Sequence, residues 1–346
     1  MFLSVVSLGV ALIRNDLQIG RLTGREQAIW RKMEPSIATL VDEDRPLGAA
    51  ALISDSGLFV ASRAAVRGES MTARLKSGRN VQMTVLARDG STGLVLLQAA
   101  PWVAGQARPF VAPNAPEQPG VTLLAILGTG PIRAQCVSTR HYGVIGKARR
   151  FVPLTEFRFE APAELIGAAL VVCEDGEIVG SLNATLRRQE NQTQQGLGQQ
   201  AFVSQEKIPP VLRGLPGLAQ QSTYGPGELT VAYTVGSEVV RQVINGFLSP
   251  DHKVNLPSLG LICKDNIGGG AIVEFVAPGS SADRAGIRVG DIIQDIAGQT
   301  IRDQVTFARV MLNQRVGAKI AIRTSRGNIV QIRDAVVGRA EDETLP

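Results

Sequence analysis

Several residue types are scarce in this chain of 346 residues, and each scarcity argues against a class of protein. Only three cysteines are present, Cys136, Cys173 and Cys263, and they lie far apart without the spacing of metal ligands. We therefore predict three buried thiols, no disulfide framework, no metal and no cofactor. Aromatic residues make up only 4% of the chain, and we predict no nucleic-acid partner.

The apolar N-terminal stretch Met1–Ile13 is too short to span a bilayer unaided, because a spanning helix needs about 20 residues. It also lacks the basic start and the small-residue cleavage site of a secretory signal. We treat residues 1–24 as an apolar N-terminal segment with two interpretations. It is either part of an export signal or membrane anchor, which would associate the protein with a membrane, or an element packed on the body.

Glycine and aliphatic residues are abundant instead. The chain has 37 glycines and is 44% hydrophobic, which favours many short strands and turns in two or three domains. The net charge of +5 is mild. Five cations between Arg133 and Arg150 have no acidic residue among them, and we interpret this run as a solvated loop and strand edge, with an anionic partner as the alternative.

Short strands separated by turn signals fill the N-terminal half, an arrangement typical of a barrel or sandwich. The predicted elements are a helix over Arg25–Lys32 and strands over Ser36–Val41, Gly48–Ile53, Leu58–Ala61, Met71–Leu75, Val81–Ala87 and Leu94–Leu97. The proline-rich stretch Pro101–Gly120 then predicts a connector to a second set of strands.

The second set of strands is followed by less regular sequence. The predicted strands are Val121–Leu127, Cys136–Val144, Glu156–Glu160, Leu170–Cys173, Ile178–Leu186 and Ala201–Ser204. We interpret Arg187–Gln200, which is rich in Gln and Asn, as a mobile loop, and Gly214–Gly227 as a linker. Apolar residues at helical spacing predict a helix within Glu228–Phe247.

The stretch Ala271–Ile293 reads AIVEFVAPGSSADRAGIRVGDII and has a strand, a Pro-Gly turn and a short capped helix. Ser280 or Ser281 is the expected cap, and Gly286 the expected residue after the helix. The stretch resembles the signature of PDZ domains almost residue for residue. A second helix, capped by Asp303 and ending at Leu312, follows.

A PDZ domain binds an extended peptide C-terminus as an added strand, with backbone N–H groups holding the terminal carboxylate. The resemblance implies a carboxylate loop at the Ser-Leu-Gly-Leu-Ile segment and a groove-lining helix behind it. The peptide-binding residues that it predicts are Ser258, Leu259, Gly260, Leu261, Ile262, Val305, Ala308, Arg309 and Leu312. Plain core packing is the alternative for Leu259 and Leu261.

Three stretches in the N-terminal half resemble serine proteases of the HtrA type. Proteins of that type have a trypsin-like double barrel followed by a PDZ domain. The three stretches are Gly48–Gly68, Asp89–Gln98 and Gly167–Gly180. The resemblance implies a mainly β fold with the following organisation. A double β-barrel covers residues 25–212 (barrels about 36–103 and 119–210), a linker and helix 213–255, a PDZ domain 256–340 and an acidic tail 341–346.

The three positions that correspond to the catalytic triad hold Ala64, Gly93 and Ile166. The triad mechanism needs an imidazole, a carboxylate and a hydroxyl, and these three residues supply none of them. No histidine occurs in residues 1–140. His141 is predicted on a strand of the second barrel and His252 in a turn, so neither replaces the missing base. We therefore predict a pseudoprotease, not an enzyme.

The resulting expectation is an inactive HtrA-like protein that binds peptide or protein C-termini as an adaptor, scaffold or regulator in protein quality control or envelope assembly. Two alternatives stay open: an active endopeptidase with non-standard catalytic residues, and a structural subunit of an assembly. The resemblance also implies a homo-oligomer, such as a trimer, located in the bacterial cell envelope, either periplasmic or membrane-anchored.

Overall fold

The computed structural model describes residues 22–102, 107–114, 118, 122–128, 130–145, 150–159, 168–182, 230–327 and 329–340. Met1–Ile13, Ile166, Arg187–Gln200, Ala201–Ser204, Gly214–Gly227 and residues 341–346 lie outside this description. The chain divides into two compact units. One comprises Met1–Thr139, Leu154–Arg187 and Val203–Lys253, and the other Arg140–Pro153, Arg188–Phe202 and Val254–Pro346. No helix among the described residues combines the length and apolar character needed to cross a membrane.

The first unit begins with a helix and a closed six-stranded barrel, which confirms the predicted elements. Their bounds are α1 Gly24–Met33, β1 Ile37–Asp42, β2 Arg45–Ser54, β3 Leu58–Ser62, β4 Ser70–Leu75, β5 Asn80–Arg88 and β6 Leu94–Ala100. Every neighbouring pair is antiparallel, in the closed order β1-β2-β3-β6-β5-β4. Closure removes the exposed edges that an open sheet of these strands would present.

The interior of this barrel is filled by one large side chain from most strands and by alanines between them. Leu40, Leu52, Phe59, Met83 and Leu97 are all fully buried. The Phe59 ring meets the Trp102 ring edge-on, with 5.0 Å between the ring centroids. The alternation of large and small residues matches the period of two that places every second side chain inside a barrel.

A second sheet has six strands in the order β11-β10-β7-β8-β9-β12; most of it belongs to the first unit, while the segment Arg140–Pro153 is assigned to the second. Their bounds are β7 Thr122–Leu127, β8 Gly130–Ile145, β9 Arg150–Phe159, β10 Leu170–Val172, β11 Ile178–Ser181 and β12 Thr230–Val235. Cys136 is buried, as predicted, whereas Cys173 is half-buried. Desolvation raises the pKa of the Cys173 thiol, so this thiol stays protonated at neutral pH.

The helix predicted within Glu228–Phe247 is confirmed, and it occupies the second half of that range. Thr230–Val235 is strand β12, which pairs antiparallel with β9, and the helix α2 covers only Ser237–Phe247. The segment is rich in β-branched residues, which also suit a strand. Its helical spacing was therefore ambiguous, and the open edge of β9 decided the outcome.

The predicted connector joins the two sheets through backbone hydrogen bonds. The Phe110 amide donates to the Leu52 carbonyl of β2 at 2.7 Å. The next residue, Val111, bridges the hairpin of the second sheet: its amide donates to the Gly176 carbonyl and its carbonyl accepts from Ile178, both at 3.0 Å. The connector thus adds a short stretch of parallel pairing to the second sheet.

Helix α1 is anchored to the second sheet by a buried ion pair that the sequence did not indicate. Glu26 accepts two hydrogen bonds from the Arg133 guanidinium of β8, at 2.7 and 2.9 Å. It also accepts from the Thr23 amide at 2.7 Å, which completes a capping box. Arg133 is therefore paired, so one member of the predicted solvated run of cations has a structural role.

The Arg133 hydrogen bonds lower the pKa of Glu26 from 4.5 to about 2, against the opposing effect of burial. Because the folded-state pKa is depressed, this carboxylate stabilises the fold above its unfolded-state pKa. The contribution is lost as the pH falls from about 4.5 towards about 2.

Glu26→Gln should accordingly lower the free energy of unfolding by about 2 kcal/mol at pH 7, the scale of hydrogen bonds to a charged group. At pH 2.5 the difference between the variant and the natural chain should shrink strongly, because the natural carboxyl is then largely protonated in the unfolded chain. Urea unfolding at both pH values measures this. An equal difference at pH 7 and pH 2.5 would contradict the assignment.

The second unit contains a sheet in the order β14-β15-β16-β18-β19 and a separate pair, β13 with β20. Their bounds are β13 Pro257–Ser258, β14 Leu261–Asp265, β15 Ala271–Val276, α3 Ser281–Arg284, β16 Ile292–Ile296, β17 Gln299–Thr300, α4 Gln304–Leu312, β18 Lys319–Arg326, β19 Ile329–Val336 and β20 Gly338–Arg339. Ser280 caps α3 and Asp303 caps α4, as predicted. Cys263 is buried, also as predicted.

One buried carboxylate braces this sheet. Asp291, whose exposed fraction is 1%, accepts two hydrogen bonds from the Arg326 guanidinium at 2.6 and 2.9 Å. It also accepts from the Arg288 amide at 3.0 Å. Burial alone raises the pKa of Asp291, but the Arg326 and Arg288 hydrogen bonds outweigh it and hold that pKa below its ordinary value.

Candidate functional site

The predicted carboxylate loop lies between β13 and β14, and its backbone is fixed from both sides. Gly260 has φ = +70°, a left-handed conformation that favours glycine. Its amide donates to the Ser258 hydroxyl at 3.0 Å, and its carbonyl accepts from the Ala277 amide at 2.8 Å. The Leu259 carbonyl accepts from the Ala282 amide, also at 2.8 Å. These three hydrogen bonds fix the backbone of the loop on both sides of Gly260.

Strand β14 is the outermost strand of the sheet. One of its two edges pairs with β15, and the other edge has no partner strand among the described residues. Leu261 lies opposite Val276, and the neighbouring bond runs from Ala277 to the Gly260 carbonyl. In an antiparallel ladder this makes Leu261 and Val276 a non-hydrogen-bonded pair. The Leu261 N–H and C=O consequently point away from β15, towards the edge where an added peptide strand would pair.

Helix α4 faces this edge and contacts both β13 and β14. Its core side is formed by Phe307, Val310 and Met311, as the sequence predicted. The predicted groove residues lie on other sides of the helix. Ala308 and Leu312 are buried outside the main core cluster, while Val305 and Arg309 are half-buried.

The structure brings the loop residues and helix α4 to the same edge of the sheet. Leu259 and Leu261 also belong to the buried core of this unit, so the packing interpretation of both is confirmed. Ile262, which alternates with Leu261 along β14, is half-buried. Core packing fixes the backbone of β14, and it leaves the outward-pointing amide available for an added strand.

Sequence reasoning missed a hydrogen bond between β14 and the start of α4, the two elements that flank the predicted groove. The Asp265 carboxylate at the end of β14 accepts from the Gln304 amide at 2.8 Å, which ties the first turn of α4 to the strand. The Gln304 side chain is buried, and its amide nitrogen has no hydrogen-bond partner among the described residues. No spacing rule connects residues 39 positions apart, so no signal in the sequence identified this pair.

In the first unit, the structure brings two of the predicted triad positions together. Ala64 is exposed on a single 3-10 turn after β3, and Gly93 precedes β6. The Arg63 amide donates to the Gly93 carbonyl at 2.7 Å, so the two positions are neighbours. The side chains at these two predicted positions are a methyl group and a hydrogen atom. Ile166 lies outside the described residues.

The nearby polar groups are occupied by local hydrogen bonds. The Asp89 carboxylate accepts from the Ser91 hydroxyl and from the Thr92 amide and hydroxyl, all within 2.7 Å, and so shapes the loop before Gly93. His141 is half-buried on β8. His252 lies in a turn, as predicted, with its Nδ1 2.7 Å from the Phe247 carbonyl oxygen at the end of α2.

The two sheets of the first unit approach each other closely at a pair of glycines. A Cβ added to Gly48 would lie 2.4 Å from the Ala65 Cβ and 3.2 Å from the Ala168 Cβ. A Cβ added to Gly128 would lie 2.8 Å from the Gly48 nitrogen. Ala65 follows the predicted histidine position directly. The space beside these positions is therefore filled by small residues and backbone.

Gly128→Ala should destabilise the first unit, because the new methyl group meets Gly48 backbone atoms that cannot rotate away. Overpacking of this kind costs about 1–3 kcal/mol. The matched control is Gly90→Ala, because Gly90 has open space around its Cβ position. Chemical unfolding of both variants measures the difference. An equal effect of the two substitutions would show that the sheets separate freely at this point.

A family model described as a PDZ domain matches residues 272–324. Among curated proteins, the chain is 21% identical over 287 residues to the serine protease Do-like HtrA of Lactobacillus helveticus. That match covers 78% of this chain and 62% of the relative, so the aligned part spans less than two thirds of that protein.

Two solved structures have the same fold over most of the chain. The HtrA-type protease AlgW with a decapeptide has a TM-score of 0.58 and 16% identity, covering 90% of this chain and 97% of that one. The serine endoprotease from Yersinia pestis has a TM-score of 0.54 and 16% identity, covering 92% and 98%. At this identity the likeness establishes the fold. The predicted fold class, a mainly β trypsin-like unit followed by a PDZ domain, is confirmed.

Proposed function

We propose that this chain, which has the fold of HtrA-type serine proteases and carries a C-terminal PDZ domain, binds peptide or protein C-termini and does not cleave them. The observation that carries the proposal is a contrast between two sites. The peptide edge of β14 keeps its left-handed Gly260 and its outward-pointing Leu261 amide. In the first unit, the two predicted triad positions that the structure describes hold Ala64 and Gly93, which neighbour each other.

Binding would proceed by strand addition. A peptide would pair antiparallel with β14. The terminal carboxylate of the peptide would accept hydrogen bonds from backbone N–H groups of the loop from Leu259 to Leu261. Its last side chain would enter the space between β14 and α4, where Ala308 and Leu312 are apolar. A short aliphatic or aromatic C-terminal residue suits these two apolar side chains, because burying a charge against them would be costly.

The absence of cleavage follows from chemistry. Attack on a peptide carbonyl needs a nucleophile activated by a base, and loss of the nucleophile or the base alone costs about a millionfold in turnover. Ala64 cannot accept a proton, and Gly93 cannot orient an imidazole. We accordingly propose an adaptor or scaffold role in protein quality control or envelope assembly, as a homo-oligomer in the bacterial cell envelope.

The test pairs a binding assay with a turnover assay on the full chain. Fluorescence polarisation with a library of C-terminal peptides should find binders with a free carboxylate, and the amidated form of each binder should bind at least tenfold more weakly. Unfolded casein should not be hydrolysed in a dose-dependent way, and a serine-reactive fluorophosphonate probe should label no residue. Turnover with one labelled serine would establish the alternative of an active endopeptidase. If the protein assembles into oligomers but binds no peptide, the alternative of a structural subunit would be established.

A further inference from the structure

Strand β19 is the opposite edge of the PDZ sheet, and its side chains are unusually apolar for an exposed strand. Four of its eight residues are large, apolar and mostly exposed: Ile329 at 63%, Val330 at 58%, Ile332 at 71% and Val336 at 52%. Val330, Ile332 and Val336 alternate along the strand and therefore share one face. This stripe lies at the other end of the sheet from the peptide edge of β14.

The backbone of β19 offers hydrogen-bonding groups along the same edge. The strand pairs with β18 in one continuous register from Lys319–Val336 to Arg326–Ile329, without a bulge. The Val337 amide donates to the Ala318 carbonyl. By the alternation of an antiparallel ladder, the N–H and C=O groups of Val330, Ile332, Asp334 and Val336 then point away from β18.

Natural proteins usually protect such an edge with proline, a bulge or an outward-pointing charge. Strand β19 contains no proline, and each of its two charged side chains has a partner within its own domain. The Arg333 guanidinium donates to the Gln331 side chain at 2.5 Å and to the Ala285 carbonyl at 3.4 Å. The Asp334 carboxylate pairs with the Lys319 ammonium at 2.8 Å. The edge is therefore unprotected and suited to strand pairing.

We propose that β19 pairs antiparallel with β19 of a second copy of this chain, about a two-fold axis at Ile332. The occupant must be an extended strand with β-branched residues at alternate positions, and β19 itself has this pattern. The charges select the register. An axis at Arg333 or Asp334 would place like charges opposite each other, which is destabilising. An axis at Gln331 would pair only residues 329–333, whereas the axis at Ile332 pairs residues 329–335.

This pairing joins two PDZ sheets into one continuous sheet and buries Ile332 of both copies at its centre. One strand pair covers much less than the roughly 1,200 Å² of a standard stable interface, so the contact alone is weak. It gains strength when other contacts already hold the copies together, because linked contacts raise the effective concentration. The proposal does not depend on the function of the β14 edge. Pairing through β19 uses the opposite edge of the sheet, so β14 stays accessible to a peptide.

Cysteine cross-linking of the full chain tests the register. Cys136 and Cys263 are buried, and Cys173→Ser removes the half-buried thiol. In that background Ile332→Cys should form an intermolecular disulfide on mild oxidation, because directly opposed residues of a hydrogen-bonded pair have Cα atoms about 5.5 Å apart. Asp334→Cys is the matched control, because its two copies would lie about 13 Å apart along the strands. Cross-linking at Asp334→Cys, or none at Ile332→Cys, would overturn the proposal.

Sedimentation measurements over a range of concentrations test the contact in the unmodified chain. Ile332→Lys should raise the dissociation constant of self-association at least tenfold, because it places two ammonium groups at the axis. Val289→Lys is the control, since Val289 is similarly exposed at 61% but lies outside β19. Equal self-association of the natural chain and the Ile332→Lys variant would overturn the proposal and would leave β19 as an edge for other partners. Peptide binding at β14 should be unchanged in both variants.

Discussion

Replacing Gly260 by Ala is expected to weaken the binding of C-terminal peptides at least tenfold. Gly260 has φ = +70°, and a side chain in this region costs about 1–2 kcal/mol. The chain can relieve that strain only by rotating the backbone of the loop. Rotation would turn the adjacent Leu261 amide away from the terminal carboxylate. Fluorescence polarisation with the tightest library peptide measures the loss.

Gly279→Ala is the matched control for this substitution. Gly279 has the same φ of +70°, and no atom lies within 4 Å of its Cβ position. Both variants should therefore lose a similar amount of stability, whereas only Gly260→Ala should lose peptide affinity. If the two variants bind peptide equally well, the loop from Leu259 to Leu261 does not hold the carboxylate.

Replacing Phe59 by Ala is expected to lower the free energy of unfolding of the first unit by about 3–5 kcal/mol, the scale of a large-to-small substitution in a core. Phe59 is fully buried at the centre of the closed barrel, and its ring meets the Trp102 ring edge-on. A rigid ladder of six strands cannot collapse into the resulting cavity. Denaturant unfolding followed by Trp fluorescence measures the change, because Trp102 is adjacent to the substituted ring.

The control for Phe59 is an apolar residue of the same barrel whose side chain is exposed. Leu86 on β5 is 42% exposed, and Leu86→Ala should change the free energy of unfolding by less than about 1 kcal/mol. Peptide binding by the PDZ domain should be retained in both variants at low denaturant. A loss from Leu86→Ala as large as that from Phe59→Ala would show that the barrel interior is not the stabilising core of this unit.

The candidate site could be predicted in outline because its signals are local. A Pro-Gly turn, two serines at a helix start and a glycine after the helix lie within one stretch, and each has a single structural meaning. The left-handed backbone at Gly260 is a finding of the structure alone. The pair of Asp265 and Gln304 was not predicted, because hydrogen bonds between distant segments leave no spacing in the sequence.

Strand β12, Thr230–Val235, was not predicted for the same reason. The residues of this segment fit a helix and a strand about equally well, and pairing with β9 decided between them. The ion pair of Glu26 and Arg133 likewise depends on residues that are distant in the sequence. Arg133 belongs to a run of cations with no local acid, and its partner is supplied by a helix 107 residues earlier in the chain.

By itself the sequence determined the identity and order of most strands and turns, the PDZ signature and the lack of any histidine before residue 141. These features depend on side-chain alternation, turn residues and composition, all of which act over a few neighbouring residues. Only the tertiary structure decided which strand edges stay open, which carboxylates become buried and that Ala64 lies beside Gly93. Those outcomes depend on which distant segments pair with the same strand edge or fill the same space. The interactions between such segments form only when the chain folds.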